Sequence, residues 1–175
     1  WMPLIIAIMT ALVLNGPLRA PFPGSKLLYE DESAYNYIQV QEQNGFTLLK
    51  LNDGQGVHSI YHPEVLYYNG PWEQFMVGPY FYENRSPDDL KRMAIIGLAA
   101  GTAARQATLV YGEDFIIDGY ELDEKIVDVG YKYFNMGTPN LNVILGDGRL
   151  NLERSGQIYD IIAIDAYRPP YIPAH

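Results

Sequence analysis

The sequence predicts an α/β fold, in which a small antiparallel sheet is followed by an incomplete parallel sheet with helices on both faces. Two observations carry this prediction. Short strands joined by tight turns fill residues 26–69, a pattern typical of antiparallel pairing. After residue 90, apolar runs alternate with segments of helical periodicity, which is typical of a parallel sheet. Since this region holds only four predicted strands, we expect the second half of the sheet to be missing.

The N-terminal segment is almost wholly apolar over residues 1–14. It is shorter than the roughly 20 apolar residues that cross a bilayer, and it lacks the charged start and the cleavage site of a signal peptide. Because the chain begins at Trp1 and stops at His175 in a proline-rich stretch, we expect a fragment cut at both ends. We interpret 1–15 as the end of a transmembrane helix, with a buried helix or strand as the alternative, and 16–25 as a linker.

Residues 26–69 are predicted to form the small antiparallel subdomain. We expect its strands at 26–30, 35–42, 46–51 and 57–61. Asn44-Gly45 is a strong hairpin signal, because both positions of the tightest hairpin turn favour a positive φ. A small sheet of this kind is not stable alone, so we expect it to pack on the rest of the chain.

Residues 70–175 are predicted to be the N-terminal part of a nucleoside-binding domain. A helix is expected from Pro71 to about Tyr82, and Ser86-Pro87 resembles a second helix start, with serine as cap and proline at the first position. The remaining elements are predicted as strand 93–96, helix 102–109, strand 115–120, helix 123–134 with Asp123 as its cap, strand 143–145, short helix 150–153 and strand 159–164.

Composition narrows the possible functions. Hydrophobic residues make up 48% of the 175 residues, enough for a core, and a formal charge of −9 argues against a nucleic-acid partner. The absence of cysteine excludes disulfides, thiolate zinc sites and a cysteine nucleophile. His58, His62 and His175 show no metal-ligand spacing, so we expect no metal site.

Each predicted parallel strand ends at residues able to touch a ligand. These ends are the Gly97–Gly101 turn, Glu121, the Gly146-Asp147-Gly148 corner and Asp165. Because ligands bind at the carboxyl ends of the strands in open parallel sheets, the four ends should converge on one crevice. The spacing therefore indicates a nucleoside-binding transferase or oxidoreductase.

The first two strand ends suit the phosphate or ribose side of a nucleoside. Gly97 and Gly101 would let the backbone approach a ligand in front of a helix N-terminus, although the full G-x-G-x-x-G pattern is absent and small residues here serve helix packing equally well. Glu121, about 20 residues after Gly101, can accept both hydroxyls of a ribose. Its alternative role is that of a solvated acid.

The other two strand ends suit a base and a reacting centre. Asp147 can accept the exocyclic amine of adenine, or it can belong to an ordinary Gly-Asp-Gly turn. An acid at this place is more usual in methyltransferase-like sheets, which bind sulfonium nucleosides, than in dinucleotide oxidoreductases. Asp165 would face the reacting centre as a general base that also holds a substrate amine, or it would cap the following loop.

Taken together, these tracts resemble spermidine synthases, the polyamine aminopropyltransferases, of the kind fused to an N-terminal membrane region. The matching tracts are 96–102, 120–134, 143–153 and 159–165, preceded by 32–38 and 51–54. The resemblance covers the chain from about Leu27 to its end. It implies a Rossmann-like, class I methyltransferase-like fold that binds decarboxylated S-adenosylmethionine as co-substrate and passes its aminopropyl group to an amine.

The resemblance also implies roles for individual residues. Glu121 would hold the ribose, Asp147 with Gly148 would hold the adenine, and Asp165 would accept the proton. Asn36 stands where the family has a glutamine that reaches the nucleoside. No metal and no tightly bound cofactor is implied.

The acceptor side departs from the family pattern. The aspartate of the family's GGGDGG turn, which binds the aminopropyl amine, is replaced by Ala100, and Arg168 stands where a second acid usually follows Asp165. At the substrate gate, Trp72-Glu73-Gln74 replaces a Tyr-His-Glu or Tyr-Gln-Glu pattern. Losing an acid and gaining a cation disfavours putrescine electrostatically.

We therefore predict a membrane-anchored, spermidine-synthase-like transferase with a cytoplasmic catalytic domain, an amine or other small-molecule acceptor, and a possible homodimeric state. One alternative is an S-adenosylmethionine-dependent methyltransferase-like enzyme with a non-polyamine acceptor, and another is a non-catalytic nucleoside-binding domain. An NAD-linked oxidoreductase is disfavoured by Asp147 and by the small-residue turn. We do not expect the fragment alone to be active, because its sheet would have an unpaired edge.

Overall fold

The fold contains one antiparallel and one parallel sheet, each with four strands over the described residues. The structure is a computed structural model that describes residues 1–14, 16–52, 56–84 and 86–166. The antiparallel sheet consists of β1 (Lys26–Glu32), β2 (Tyr37–Gln43), β3 (Phe46–Leu51) and β4 (Ser59–Tyr61). The parallel sheet consists of β5 (Arg92–Ile96), β6 (Ile116–Glu121), β7 (Leu141–Leu145) and β8 (Ile161–Ile164). This architecture confirms the predicted α/β fold.

Helices connect and cover these strands. They are α1 (Met2–Leu14), α2 (Trp72–Val77), α3 (Thr102–Tyr111), α4 (Glu124–Tyr133) and α5 (Gly148–Ser155), with 3-10 turns at Gly78–Phe81 and Pro87–Asp89. Within the described ranges, no helix is long and apolar enough to cross a membrane.

The antiparallel sheet follows the order of the chain, β1-β2-β3-β4. Between β2 and β3, Gln43 pairs with Phe46 across a two-residue turn. Asn44 and Gly45 in that turn have φ values of 53° and 84°, as the tightest hairpin connection requires. The predicted Asn-Gly hairpin is therefore confirmed.

The parallel sheet has the order β7-β6-β5-β8. The chain moves outward from β5 through β6 to β7, and then returns to add β8 on the other side of β5. The point where the strand order reverses is thus between β5 and β8, which is where open α/β sheets bind their ligands.

Two apolar clusters hold the layers together. Helices α2, α3 and α4 cover one face of the parallel sheet, where Met93, Ile95 and Ile117 are buried. A second cluster joins α4 to the small sheet and includes Ile38, Leu49, Ala100 and Ile126. Because Ala100 belongs to the turn after β5, the small sheet packs directly over the carboxyl edge of the parallel sheet.

Three helix predictions are wrong in extent. The helix expected from Pro71 to about Tyr82 ends at Val77 and continues only as a 3-10 turn, because Pro79 lacks the N–H group that an α-helix needs. The start at Ser86-Pro87 leads only to the 3-10 turn Pro87–Asp89. The third helix of the alternation is longer than expected, because Asp147 caps it at Gly148.

Candidate functional site

The structure brings the four predicted strand ends to one edge of the parallel sheet. Asp165, after β8, donates its backbone N–H to the Ile96 carbonyl at 2.8 Å. Gly97 lies so close to Asp165 that a Cβ atom at residue 97 would be 2.5 Å from the Asp165 carbonyl oxygen. Gly146 donates its N–H to the Glu121 carbonyl at 2.9 Å. The ends of β5 and β8, and those of β6 and β7, are therefore adjacent pairs.

The turn after β5 has no backbone N–H left for a phosphate. Over Gly97–Gly101, the acceptors are the Tyr120 carbonyl for Gly97 and Leu98, a Glu121 carboxylate oxygen for Ala99, the Ser59 hydroxyl for Ala100 and the Leu98 carbonyl for Gly101. A dinucleotide oxidoreductase uses such a turn to approach a pyrophosphate. The satisfied amides argue against that alternative.

Packing explains two of the small residues in this turn. At Gly101 an added Cβ atom would be 2.5 Å from Cγ of Met136. Ala100 is 1% exposed and belongs to the cluster shared with the small sheet. The place where the resemblance expects an amine-binding aspartate is thus a buried apolar position.

Glu121 is held by the backbone on three sides. Its Oε2 accepts from the N–H of Ala99 at 2.8 Å, and its Oε1 accepts from the N–H groups of Leu122 and Asp123 at 2.9 and 3.0 Å. Burial raises the pKa of Glu121 above its ordinary value, although these amides act in the opposite direction. A carboxylate offers about four lone-pair directions, so one remains for a ligand hydroxyl.

Asp147 acts as the N-terminal cap of α5. Its Oδ1 accepts from the N–H of Leu150 at 2.8 Å, a usual interaction for a capping aspartate. Gly148 follows, and a Cβ atom there would be 2.8 Å from Cγ2 of Ile96. The corner therefore lies tightly against the end of β5, beside the other strand ends.

Asp165 is the acid with the fewest interactions at this edge. Burial raises the pKa of its carboxyl group. Among the residues that the structure describes, no side-chain hydrogen bond or ion pair of Asp165 is found. A carboxylate of this kind is suited to accept a proton. Arg168 lies outside the described residues.

Asn36 joins the small sheet to α4. Its Nδ2 donates to Asp123 at 3.0 Å, and its Oδ1 accepts from Nδ2 of Asn52 at 2.9 Å. Asp123 also accepts from the Ser33 hydroxyl and from the N–H of Lys125, which confirms its predicted role as the cap of α4. The amide of Asn36 is therefore fixed next to the residues that follow Glu121.

A groove of about 450 Å³ opens at this junction. It is lined by Ser33, Ala34, Tyr35, Leu122, Asp123, Glu124, Lys125, Leu145 and Gly146. Its volume lies within the range of small-molecule sites. Sequence reasoning missed Tyr35, Leu122 and Leu145, although each is a direct neighbour of a residue that it selected.

Trp72 and Glu73 contribute to packing around α2 and α3. Trp72 is buried and meets the Tyr68 ring edge-on at 6.5 Å. The Glu73 carboxylate accepts from the N–H groups of Tyr68 and Gly70 at 2.7 and 3.0 Å and from Nε2 of Gln106 at 2.9 Å. Burial opposes ionisation of Glu73, but these hydrogen bonds prevail and lower its pKa. Both side chains are thus held by contacts with residues 68, 70 and 106.

Sequence reasoning also missed a buried acid in the middle of β6. Asp118 is 3% exposed and accepts from Nε of Arg92, Nδ2 of Asn142 and the hydroxyl of Tyr159, each at 2.8 Å. Burial alone would raise the pKa of Asp118, but these partners lower it. A single acid inside an apolar strand was the available signal.

The described residues contain no cluster of three or more His, Asp or Glu side chains that could hold a metal ion.

Among known sequences, the chain is similar to polyamine aminopropyltransferases. The chain is 33% identical over 149 residues to a probable polyamine aminopropyl transferase of Bifidobacterium longum, covering 85% of this chain and 32% of the relative. It is 28% identical over 183 residues to a polyamine aminopropyltransferase of Vibrio vulnificus, covering 97% of this chain and 58% of the relative. The chain therefore spans only part of these curated relatives. No protein-family model matches it.

Comparison with solved structures agrees on the fold. A probable spermidine synthase from Corynebacterium glutamicum superposes with a TM-score of 0.65 at 18% identity, over 88% of this chain and 55% of that one. A spermidine synthase in complex with the transition-state analogue AdoDATO gives a TM-score of 0.61 at 19% identity, over 81% of this chain and 48% of that one. The chain thus has the Rossmann-like fold of spermidine synthases, and the two comparisons together support a relationship to the polyamine aminopropyltransferase family.

Proposed function

We propose that this chain is the nucleoside-binding part of a transferase that moves an aminopropyl group from decarboxylated S-adenosylmethionine to an amine. The observation that carries the proposal is the convergence of three acids, Glu121, Asp147 and Asp165, on the edge where the strand order reverses. The similarity to polyamine aminopropyltransferases supports the same reaction. Binding, orientation and one proton transfer are sufficient for this chemistry.

The nucleoside would lie across the ends of β6 and β7. The remaining lone pair of Glu121 accepts a ribose hydroxyl. Asp147 accepts the exocyclic amine of adenine with the oxygen that does not cap α5. The N–H of Gly148, in the first turn of α5, has no intrahelical acceptor and donates to a ring nitrogen. The groove beside these residues gives the base room.

Asp165 would accept the proton of the reacting amine. The amine nitrogen attacks the carbon next to the sulfonium sulfur, so that a C–N bond forms as a C–S bond breaks. The bonding electrons stay on sulfur, which becomes a neutral thioether. The proton lost by nitrogen passes to the Asp165 carboxylate, whose raised pKa favours its uptake.

The acceptor is proposed to carry less positive charge than a standard diamine. Ala100 offers no carboxylate at the turn and is buried, and Arg168 adds a cation close to Asp165 in the sequence. An ammonium group at the far end of a diamine would therefore lack a partner. The same two residues favour the second candidate function, a methyltransferase-like enzyme with a non-polyamine acceptor.

The experiment that tests the proposal is a calorimetric titration of the full-length protein with methylthioadenosine, S-adenosylmethionine and decarboxylated S-adenosylmethionine. We expect saturable binding, with methylthioadenosine among the ligands bound. If none of the three binds, the protein is not a nucleoside-dependent transferase. Mass spectrometry of the products formed with candidate acceptors then separates aminopropyl transfer from methyl transfer. A bound nucleoside with no product under any condition would favour a non-catalytic domain.

Membrane anchoring is proposed for the N-terminal segment. Helix α1 is almost wholly apolar, none of its described side chains belongs to a core cluster, and the exposed fractions of Ile5, Ile6 and Ile8 are 56%, 60% and 51%. Exposed apolar surface of this extent marks an interaction or membrane site. Flotation of the full-length protein with lipid vesicles should require this segment, and an unchanged distribution after its deletion would contradict the proposal. A cytoplasmic location and a homodimer remain proposals, which protease protection and light scattering would test.

A further inference from the structure

We propose that strand β4 of the small sheet is part of the nucleoside site, and that Ser59 is a positioning residue within it. The inference rests on the proposed function, because it gives Ser59 a role in nucleoside binding. Ser59 and its partner Ala100 are 41 positions apart, and no motif connects them. A hydrogen bond that holds the turn after β5 joins these two residues.

The turn adopts a backbone conformation that its own residues do not favour. The φ angle is +85° at Gly97, +50° at Ala99 and +87° at Gly101. Glycine tolerates such angles, but in alanine the Cβ atom crowds the following carbonyl oxygen. A residue in this state persists only where the surrounding structure fixes it. The conformation of Ala99 therefore needs an external support.

Two consecutive amides of the turn receive that support from different sheets. The N–H of Ala99 donates to Oε2 of Glu121, in the parallel sheet, at 2.8 Å. The N–H of Ala100 donates to Oγ of Ser59, in the small sheet, at 2.9 Å. Ser59 is 1% exposed and Glu121 is 9% exposed, so water has little access to replace either acceptor.

Thr102, the first residue of α3, attaches α3 to β4 through Ile60, the residue after Ser59. Its hydroxyl accepts from the Ile60 N–H at 2.9 Å and donates to the Ile60 carbonyl at 3.0 Å. One side chain thus satisfies the two backbone groups that β4 presents at its outer edge. Because this attachment does not involve Ser59, removing the Ser59 hydroxyl should release the turn without detaching β4.

The orientation of Glu121 is the link to the nucleoside. Without Ser59, the buried N–H of Ala100 would lack an acceptor, which is costly, and the turn would shift to give it another one. The N–H of Ala99 would then leave Oε2 of Glu121, and the carboxylate would no longer keep its remaining lone pair towards the ribose. The expected result is weaker nucleoside binding.

The test compares methylthioadenosine affinity, by calorimetric titration, in the full-length protein and in three variants. Ser59→Ala should weaken binding about tenfold, the effect of losing one well-formed hydrogen bond. Ser59→Thr keeps the hydroxyl and should bind methylthioadenosine with the affinity of the unmodified protein. Thr108→Val is the matched control, because it removes a hydroxyl that bonds to Ala104 and Asn140 near the other end of α3. It should lower the melting temperature and leave affinity unchanged.

A fourth variant distinguishes positioning from general loss of structure. Adding Ala99→Gly to Ser59→Ala relieves the strained φ angle and should recover part of the affinity, a result that a purely structural role for Ser59 does not predict. Should Ser59→Ala fail to fold, hydrogen exchange in the unmodified protein serves instead, and methylthioadenosine should protect the amides of Ala99 and Ala100 more than those of 112–114.

The outcomes separate the two proposals. If the unmodified protein binds no nucleoside, both the proposed function and this inference are overturned. If it binds methylthioadenosine and Ser59→Ala binds it equally well, only the inference is overturned. Equal loss of affinity in Ser59→Ala and Thr108→Val would also overturn it, as would unchanged exchange at Ala99 and Ala100.

Discussion

Glu121 and Asp165 are both acids at strand ends, and burial raises the pKa of each, yet their surroundings differ. Glu121 accepts from three backbone amides, whereas no side-chain partner of Asp165 is found within the described residues. The proposed nucleoside half of the site, Glu121 with Asp147 and Gly148, is thus fixed by main-chain geometry. The proposed acceptor half, Asp165 with Ala100, depends instead on the identity of individual side chains.

The largest effect is expected from Asp165→Asn. This change removes the proposed proton acceptor and should lower the transfer rate by about 10²–10⁴-fold, with little change in nucleoside affinity. Single-turnover kinetics and calorimetry on the full-length protein measure the two quantities separately. An equal loss of rate and of affinity would mean that Asp165 takes part in nucleoside binding, as Glu121 is proposed to do.

The pH dependence of the rate follows from the same residue. Only the ionised carboxylate accepts a proton, and burial raises the pKa of Asp165 above the ordinary value. The rate should therefore be low where Asp165 is protonated and should rise with pH through its raised pKa. In Asp165→Asn this step of the pH–rate profile should be absent. A profile identical in both proteins would contradict the assignment.

The next effect concerns the nucleoside half. Glu121→Gln places an amide NH₂ group against backbone donors that the carboxylate now satisfies, so methylthioadenosine affinity should fall by roughly 10–100-fold. The control is Glu113→Gln, which changes an exposed acid in the turn before β6. Unchanged affinity in Glu121→Gln would show that the ribose is held elsewhere.

Ala100→Asp tests whether one substitution can restore the amine-binding aspartate that the family resemblance expects at this position. The new carboxylate would lie in the apolar cluster with Ile38 and Leu49, where burying an unpaired polar group costs about 1–3 kcal/mol or more. We expect a lower free energy of unfolding and no gain in putrescine affinity. Denaturant titration and calorimetry measure these, and a gain in putrescine binding would contradict the buried placement.

The smallest effect is expected where the small sheet meets α4. Lys125 pairs with Asp31 at 2.8 Å, and its hydrogen bond is the main reason that the pKa of Asp31 is lowered to about 2. The pair is partly exposed, so Asp31→Asn should cost under about 1 kcal/mol. The lowered pKa means that the stabilisation is complete above the unfolded pKa of about 4 and is lost as pH falls through about 2. The two proteins should therefore converge in stability in strong acid.

Local sequence patterns were sufficient for the elements whose signals lie within a few residues. The Asn44-Gly45 turn, the Asp123 cap and the order of strands and helices after β5 all follow from neighbouring residues. The same reasoning overestimated the helix after Pro71, because Pro79 allows only a 3-10 turn there.

Contacts between distant residues could not be predicted in this way. Nothing in the sequence near Ala100 indicates that the Ala100 N–H donates to Ser59. Nor does it indicate that the Ala100 side chain is buried against the small sheet. Likewise, the family resemblance places Trp72-Glu73-Gln74 at a substrate gate, whereas in the structure the Glu73 carboxylate accepts from Nε2 of Gln106, 33 positions away, at 2.9 Å. These arrangements depend on how segments that are distant in the sequence pack together, which no single segment encodes.

The close approach of Gly97 to Asp165 limits how this site can diversify. A Cβ atom at residue 97 would be 2.5 Å from the Asp165 carbonyl oxygen and 2.8 Å from its carbonyl carbon. Any larger residue at position 97 would displace the backbone that carries the acid. In the proposed site, the distance between Asp165 and the nucleoside would therefore depend on the absence of a side chain at Gly97. In the proposed reaction, side chains around Asp165 could be exchanged to fit other acceptors, whereas a change at Gly97 would move Asp165 itself, whatever the acceptor.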